Sequence, residues 1–359
     1  MRYFQCAVYL LAARFMAGDL CAVEPLFDEV APHAAETSLA SFQFASFAGT
    51  SETVPLVGCK CDPVPHIRSN VVNVEPSRCC RCCGTPQNEN WLSALLVPGD
   101  RCFTDFVSPM TNPVYFEDPR TLTEARFIYL HHQIPSAAQG GAANVFALQL
   151  RAALTDRLSI IATKDGFVTS TNPLIDDGWC DVALGLKYNL YADPSRQRLL
   201  SAGMTFEIPA GSTRALQGNG DGMFDLFLTG GTQFGGCNHW ISASGFLLPT
   251  DQSAESSIWF WSNHVDHRLA HTNFYFFGET NWYHYMSAGK AFDAAPIEGG
   301  DLFNLGAVGV AGNDIVTGAL GVKYKPHSQM ELGFAWETPL TDRRDVIENR
   351  VNVDCILRY

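Results

Sequence analysis

The sequence predicts an all-β chain, an antiparallel transmembrane β-barrel of about twelve strands preceded by an irregular, cysteine-rich segment. Three observations predict it. Residues 121–359 alternate apolar and polar side chains with period two, the connections between the alternating runs are short and long in turn, and only 17% of the 359 residues are charged while 47% are hydrophobic. An average soluble protein carries about a quarter charged residues. This composition excludes disorder over most of the chain. Past residue 20 there is no run of roughly 18 uncharged apolar residues, which excludes a helical span from that part. The net charge of −13 excludes a phosphate-backbone partner, so no nucleic acid is expected.

At the N-terminus Arg2 precedes an apolar run from Tyr3 to Met16, and small residues follow at Ala17, Gly18 and Ala22. A positive start, an apolar stretch and a small-residue zone are the order of an export signal, so residues 1–22 are expected to be a signal peptide. Residues 23–120 are irregular and proline-rich and hold seven of the twelve cysteines: Cys59, Cys61, Cys79, Cys80, Cys82, Cys83 and Cys102. Two interleaved C-x-x-C pairs fit a zinc site. Disulfides are the favoured alternative in an exported chain, as staples for a segment with little core of its own. Seven is odd, so at least one of these thiols pairs elsewhere or stays free. This segment is expected on the periplasmic side or inside the lumen of the barrel formed by residues 121–359.

The last run carries the clearest alternation. Ile347, Asn349, Val351, Val353, Cys355, Leu357 and Tyr359 oppose Glu348, Arg350, Asn352, Asp354, Ile356 and Arg358. One face is greasy and the other charged, as a strand between lipid and water requires. The same split recurs in Met330, Leu332, Phe334 and Trp336 against Glu331 and Glu337, and in Leu184, Leu186, Tyr188 and Leu190 against Lys187 and Asn189. Twelve strands are predicted at 121–135, 144–154, 157–168, 180–191, 198–209, 222–233, 239–248, 256–265, 269–284, 313–325, 328–338 and 347–359. An even count with short turns on one rim and long loops on the other describes a bacterial transmembrane barrel, and closure leaves no unpaired edge in lipid. A soluble sandwich would use shorter strands. Aromatic residues near the strand ends (Trp240, Trp259, Trp261, Trp282, Tyr283, Tyr285, Trp336 and Tyr359) are assigned to the two membrane interfaces.

The closing strand, with Val353, Cys355 and Leu357 leading to Tyr359, resembles the C-terminal signal that the barrel-assembly machinery recognises. Residues 112–124 (NPVYFEDPRTLTE), Val310-Ala311-Gly312-Asn313-Asp314 and Glu348-Asn349-Arg350 resemble planctomycete-type outer-membrane barrels. These are similar to the transporter-like barrel family associated with phenol-degradation gene clusters. The resemblance covers residues 112–359 and implies an outer-membrane barrel of a Gram-negative-type bacterium. It implies little about the solute.

No phosphate loop, H-E-x-x-H or G-x-S-x-G motif is present, and neither a catalytic site nor a cofactor is expected. The lipase chemistry of some twelve-stranded barrels needs a serine with a base in reach, and no local pairing carries it. Gly218-Asn219-Gly220-Asp221-Gly222 lacks the spaced carboxylates of a calcium loop and reads as an outer loop. His131, His132, His264, His267 and His271 are assigned to rims and interfaces rather than to a metal. With the polar faces turned inward, the pore-lining candidates are Glu124, Arg126, Arg151, Asp181, Lys187, Glu207, Asp225, Glu279, Lys323, Glu331, Glu337, Glu348, Arg350, Asp354 and Arg358. Nine are acidic and six basic, which predicts mild cation preference. The functional expectation is passive passage of small solutes through a lipid-embedded barrel, self-association being compatible with it. The alternative is an envelope anchor whose cysteine-rich segment crosslinks to partners.

Overall fold

A computed structural model describes residues 99, 100 and 102–359. The expected signal peptide and the cysteines from Cys59 to Cys83 lie outside the described residues. Among the described residues fourteen strand segments follow one another: β1 (Glu124–Gln133), β2 (Ala142–Ala153), β3 (Leu158–Lys164), β4 (Phe167–Ser170), β5 (Gly178–Trp179), β6 (Val182–Asp193), β7 (Arg198–Ile208), β8 (Met223–Phe234), β9 (Asn238–Pro249), β10 (Ile258–Arg268), β11 (Phe274–Tyr285), β12 (Asp314–His327), β13 (Met330–Pro339) and β14 (Asn349–Arg358). Every pair is antiparallel, and β1 hydrogen-bonds both β2 and β14, so the sheet closes on itself.

The segments make twelve staves. β3 and β4 are one stave broken at Asp165-Gly166, since both pair with β2. β5 and β6 are the next, broken at Cys180-Asp181. A register shift between Ala162 and Lys164 precedes the first break. Bulges of this kind re-aim side chains, and here Thr163 and Lys164 are both buried where strict alternation would expose one of them.

Alternation sorts the two faces. Leu184, Leu186, Leu226, Phe246, Leu320 and Phe334 stand exposed on the outside, while the charged residues of the same staves are buried. An apolar belt around a polar interior is the arrangement that lipid outside and hydrogen-bonding groups inside demand. Three inward glycines each lie under an aromatic ring of the neighbouring stave: Gly203 under Phe227, Gly245 under Phe260 and Gly321 under Phe277. A Cβ there would strike the ring. These glycines let the large side chains lie flat against the wall.

The connections after β2, β6, β8, β10 and β12 are short; those after β1, β4, β7, β9, β11 and β13 form the long-loop rim. The longest, residues 286–313, folds inward. Leu302, Phe303, Leu305, Ala307 and Val310 join Met223, Leu247, Ile258, Tyr283, Tyr285 and Ile347 in a hydrophobic core that fills the long-loop end of the barrel.

Three expectations are corrected. Tyr283 and Tyr285 do not belong to the membrane interface: odd positions of β11 point inward, and the two rings are 1% and 0% exposed. His264 is not at a rim, because β10 runs on to Arg268 and the turn is Leu269 to Asn273. Most boundaries differ from expectation by one to three residues, since hydrogen bonding rather than polarity ends a strand.

The belt makes a direct prediction. Leu186→Arg places a cation in lipid near mid-stave and is expected to destabilise the assembled barrel by roughly 2–4 kcal/mol, whereas Leu186→Phe changes little. Urea titration of barrel reconstituted in vesicles, read by heat-modifiable gel mobility, measures both.

Candidate functional site: a charged lumen filled by a strap

Residues 102–123 run from the short-turn rim into the lumen and back, forming a two-legged strap that leads into β1. At the entrance Gln197 Nε2 donates to the Cys102 carbonyl (2.9 Å), Arg268 pairs with Asp105 (2.9 Å), and Lys325 Nζ donates to the carbonyls of Thr104 (2.5 Å) and Phe106 (2.6 Å). Deeper, the Ser108 amide donates to Glu331 (3.1 Å) and Arg126 donates to the Pro109 carbonyl (2.7 Å). The Met110 and Thr111 amides both donate to Glu279, at 2.8 and 2.6 Å.

The strap reverses at Asn112, whose φ of 50° is left-handed, a conformation asparagine tolerates better than most residues. Its carbonyl accepts the amides of Tyr115 (3.2 Å) and Phe116 (2.9 Å), and its side chain donates to Ser262 (2.9 Å). On the return leg Glu117 takes Arg151 (2.5 Å) and Lys187 (2.7 Å), Thr229 donates to the Glu117 carbonyl (2.7 Å), and Ser201 donates to the Pro119 carbonyl (2.6 Å). Arg120 ties the legs together: it pairs with Asp118 (2.7 Å) and donates to the carbonyls of Phe103 (3.3 Å) and Phe106 (2.8 Å). A buried backbone without regular structure must have its polar groups met individually. Here the wall charges meet them.

The sequence-predicted residues can now be placed. Glu124 pairs with Arg151 (3.2 Å) and Arg358 (2.8 Å); Arg126 and Lys323 share Asp354, each at 2.8 Å. Glu331 receives Arg358 (2.5 Å) and Lys325 (3.2 Å). Glu207 holds Lys164 (2.6 Å), and Asp181 accepts the amides of Gly211 and Gly218, each at 2.8 Å. Glu337 accepts from Thr317 (2.7 Å) and lies 3.6 Å from Arg350, which forks onto Asp301 of the long loop at 2.8 and 2.9 Å. Asp225 is buried with one oxygen unpartnered. Fourteen of the fifteen thus face the interior. Glu348 does not: it precedes β14 at the rim, its side chain is 42% exposed, and it pairs with Arg344.

Sequence reasoning missed Lys164 and Lys325, which irregular register turns inward, and the strap's own Glu117, Asp118 and Arg120, which carry no periodic signal. It also missed a buried relay in which His239 Nδ1 meets Asp266 (2.7 Å), His264 Nε2 meets Asp266 (3.2 Å) and His264 Nδ1 meets Glu279 (2.6 Å). The expected acidic excess of three is corrected accordingly. With Glu348 removed and Asp266, Lys164 and Lys325 added, the wall holds nine acidic and eight basic residues, and Glu255, Glu298 and Asp301 make the long-loop half negative.

Between the strap's turn and the long loop there remains a cavity of about 30 Å³ lined by Pro113, Val114, Lys164, Asp301 and Leu302. That is room for about one water. Among the described residues no cluster of His, Cys, Asp and Glu is arranged to hold a metal. Cys180 and Cys355 are free thiols, and Cys237, in the turn between β8 and β9, is disulfide-bonded.

No protein-family model and no curated protein matches the chain. Among solved structures it is similar to the NanC porin, with a TM-score of 0.42 and 10% identity, covering 66% of this chain and 98% of that one. An outer-membrane channel from Pseudomonas putida F1 gives 0.46 and 12%, covering 71% and 100%. The KdgM porin gives 0.40 and 8%, covering 65% and 99%.

Glu117 yields a pH prediction. Burial pushes its carboxyl up, but the Arg151 and Lys187 charges outweigh burial and hold it at about 2, below the ordinary 4.5. A depressed carboxyl stabilises the folded strap fully above its unfolded value, and that contribution is lost as pH falls from the ordinary 4.5 to about 2. Limited proteolysis of the strap is therefore expected to accelerate through this window at an acid-active protease. Glu117→Ala, which leaves Lys187 without a carboxylate and Arg151 with Glu124 alone, is expected to weaken strap docking by about 3–5 kcal/mol already at neutral pH.

Proposed function

We propose that the chain is an outer-membrane barrel of channel type that passes small solutes, with the strap as its resting closure. The observation that carries this reading is the division of labour inside the lumen. The staves contribute flat or charged walls, and the volume between them is taken by a separate segment held through hydrogen bonds and ion pairs. Small barrels that serve only as anchors can fill their interiors with wall side chains. A filling that hangs on polar contacts can exchange them for water at modest net cost. The apolar belt supports lipid as the immediate partner, and the closing strand ending at Tyr359 supports delivery by the barrel-assembly machinery of a Gram-negative-type envelope. The expected disulfides of the cysteine-rich segment belong to the same proposal, as does its periplasmic side, because the strap enters from the short-turn rim.

One observation favours the anchor reading: the lumen is filled from both ends, by the strap and by residues 286–313. Conductance in a planar bilayer separates the two. The full chain is expected to be silent or to open rarely, and a chain lacking residues 102–118 is expected to conduct in discrete steps. Cation preference is expected to be mild and to fade as salt is raised to about 1 M, where the Debye length falls to about 3 Å. Silence from both proteins would leave the anchor. Equal conductance from both would remove the strap as the closure.

A further inference from the structure

Along the middle of the staves the charged side chains of the described residues point inward, except beside the break between β3 and β4. There Asp165 lines a groove of about 1010 Å³ on the lipid-facing side, together with Phe127, Phe146, Trp179, Leu332 and Val353. These five apolar side chains are all exposed on the outside of the barrel, Trp179 by 67%. Asp165 Oδ1 accepts the Leu148 amide (2.8 Å), standing in for the ladder bond that the break removes. Its other oxygen has no hydrogen-bond partner among the described residues. An ionisable side chain at membrane depth is costly and calls for a named partner, and none of the wall's cations reaches this one.

The groove also supplies the walls that a cation seeks. Phe146 lies against Tyr129, with ring centroids 5.2 Å apart, and Trp179 stands edge-on to Phe167 at 5.1 Å. A carboxylate oxygen beside several aromatic faces is complementary to an ammonium, which brings three donors and a charge attracted to the rings. We propose that this groove binds a membrane-dissolved amphiphile carrying a protonated amine, with the ammonium on Asp165 and the chain laid along Phe127, Phe146 and Trp179. An uncharged acyl chain would fill the volume but leave the carboxylate unmet. An anionic head would meet repulsion.

The test uses the full chain in phosphatidylcholine vesicles and three brominated probes of one chain length: an alkylamine, an alcohol and a carboxylic acid. Emission from Trp179 is isolated as the difference between the wild type and Trp179→Phe. The amine is expected to half-quench that emission at about a tenfold lower mole fraction than the alcohol or the acid, as one charge-assisted hydrogen bond would give. Asp165→Asn is expected to bring the amine's curve to the alcohol's. Equal quenching by all three probes in the wild type, no quenching by any, or an amine curve unchanged in Asp165→Asn would each overturn the proposal. Should Asp165→Asn not assemble, the wild-type comparison of the three probes decides alone.

Discussion

The structure depends on one constraint: charges turned away from lipid must find partners before bulk water is shut out. Period-two alternation places apolar groups on the belt and, by the same geometry, charged groups in the lumen. An ion left unpaired there costs several kcal/mol even after relaxation. The wall answers in part by pairing across neighbouring staves, as Glu124 does with Arg151 and Arg358. What remains unsatisfied is met by the strap. Glu279 takes two strap amides, and Glu117 gives Lys187 its anion and Arg151 a second one beside Glu124. Lumen and strap are therefore complementary halves of one network, and neither is electrically complete alone.

This explains why the strap has so little regular structure. A helix would satisfy its own backbone and leave the wall charges facing apolar or self-contained surface. An extended strap with a left-handed turn at Asn112 offers its amides and carbonyls outward instead. The long-loop end combines an apolar core under residues 286–313 with buried charges of its own, Arg350, Asp301, Glu298 and Glu255. The strap buries Phe103, Phe106, Tyr115 and Phe116 in the same apolar cluster, but its backbone is held by wall groups whose hydrogen bonds water can replace at modest net cost. That exchange makes the strap the more easily displaced of the two fillings.

The barrel was legible in the sequence because its signal is periodic. Charged residues at alternate positions of the strand around Lys187 or Arg350 mark the inward face without further information, and fourteen of fifteen candidates lie where alternation puts them. The exceptions are local. Glu348 precedes the first hydrogen-bonded pair of β14, so its parity has no strand to act on. Lys164 is turned inward by a bulge, which changes parity without a sequence signature. Tyr283 and Tyr285 obey parity, and the aromatic-girdle argument misplaced them by ignoring it. The strap was only weakly legible: residues 102–123 have no period, and Glu117, Asp118 and Arg120 gain their roles from partners 10, 14, 34 and 70 residues away. The cysteine cluster from Cys59 to Cys83 lies outside the described residues, and its chemistry stays an expectation.

The central claim is that the strap is a distinct, polar-held filling and not a fixed part of the wall. Amide hydrogen exchange at Met110 and Thr111, compared with Ile128 and Val353 of β1 and β14, tests it most directly, because exchange reports the free energy of local opening. The account predicts that the two strap amides exchange faster than the strand amides but slower than a free peptide, and that Glu117→Ala removes most of their protection while leaving that of Ile128 unchanged. Strap amides as protected as the strand amides, and equally unaffected by Glu117→Ala, would contradict it.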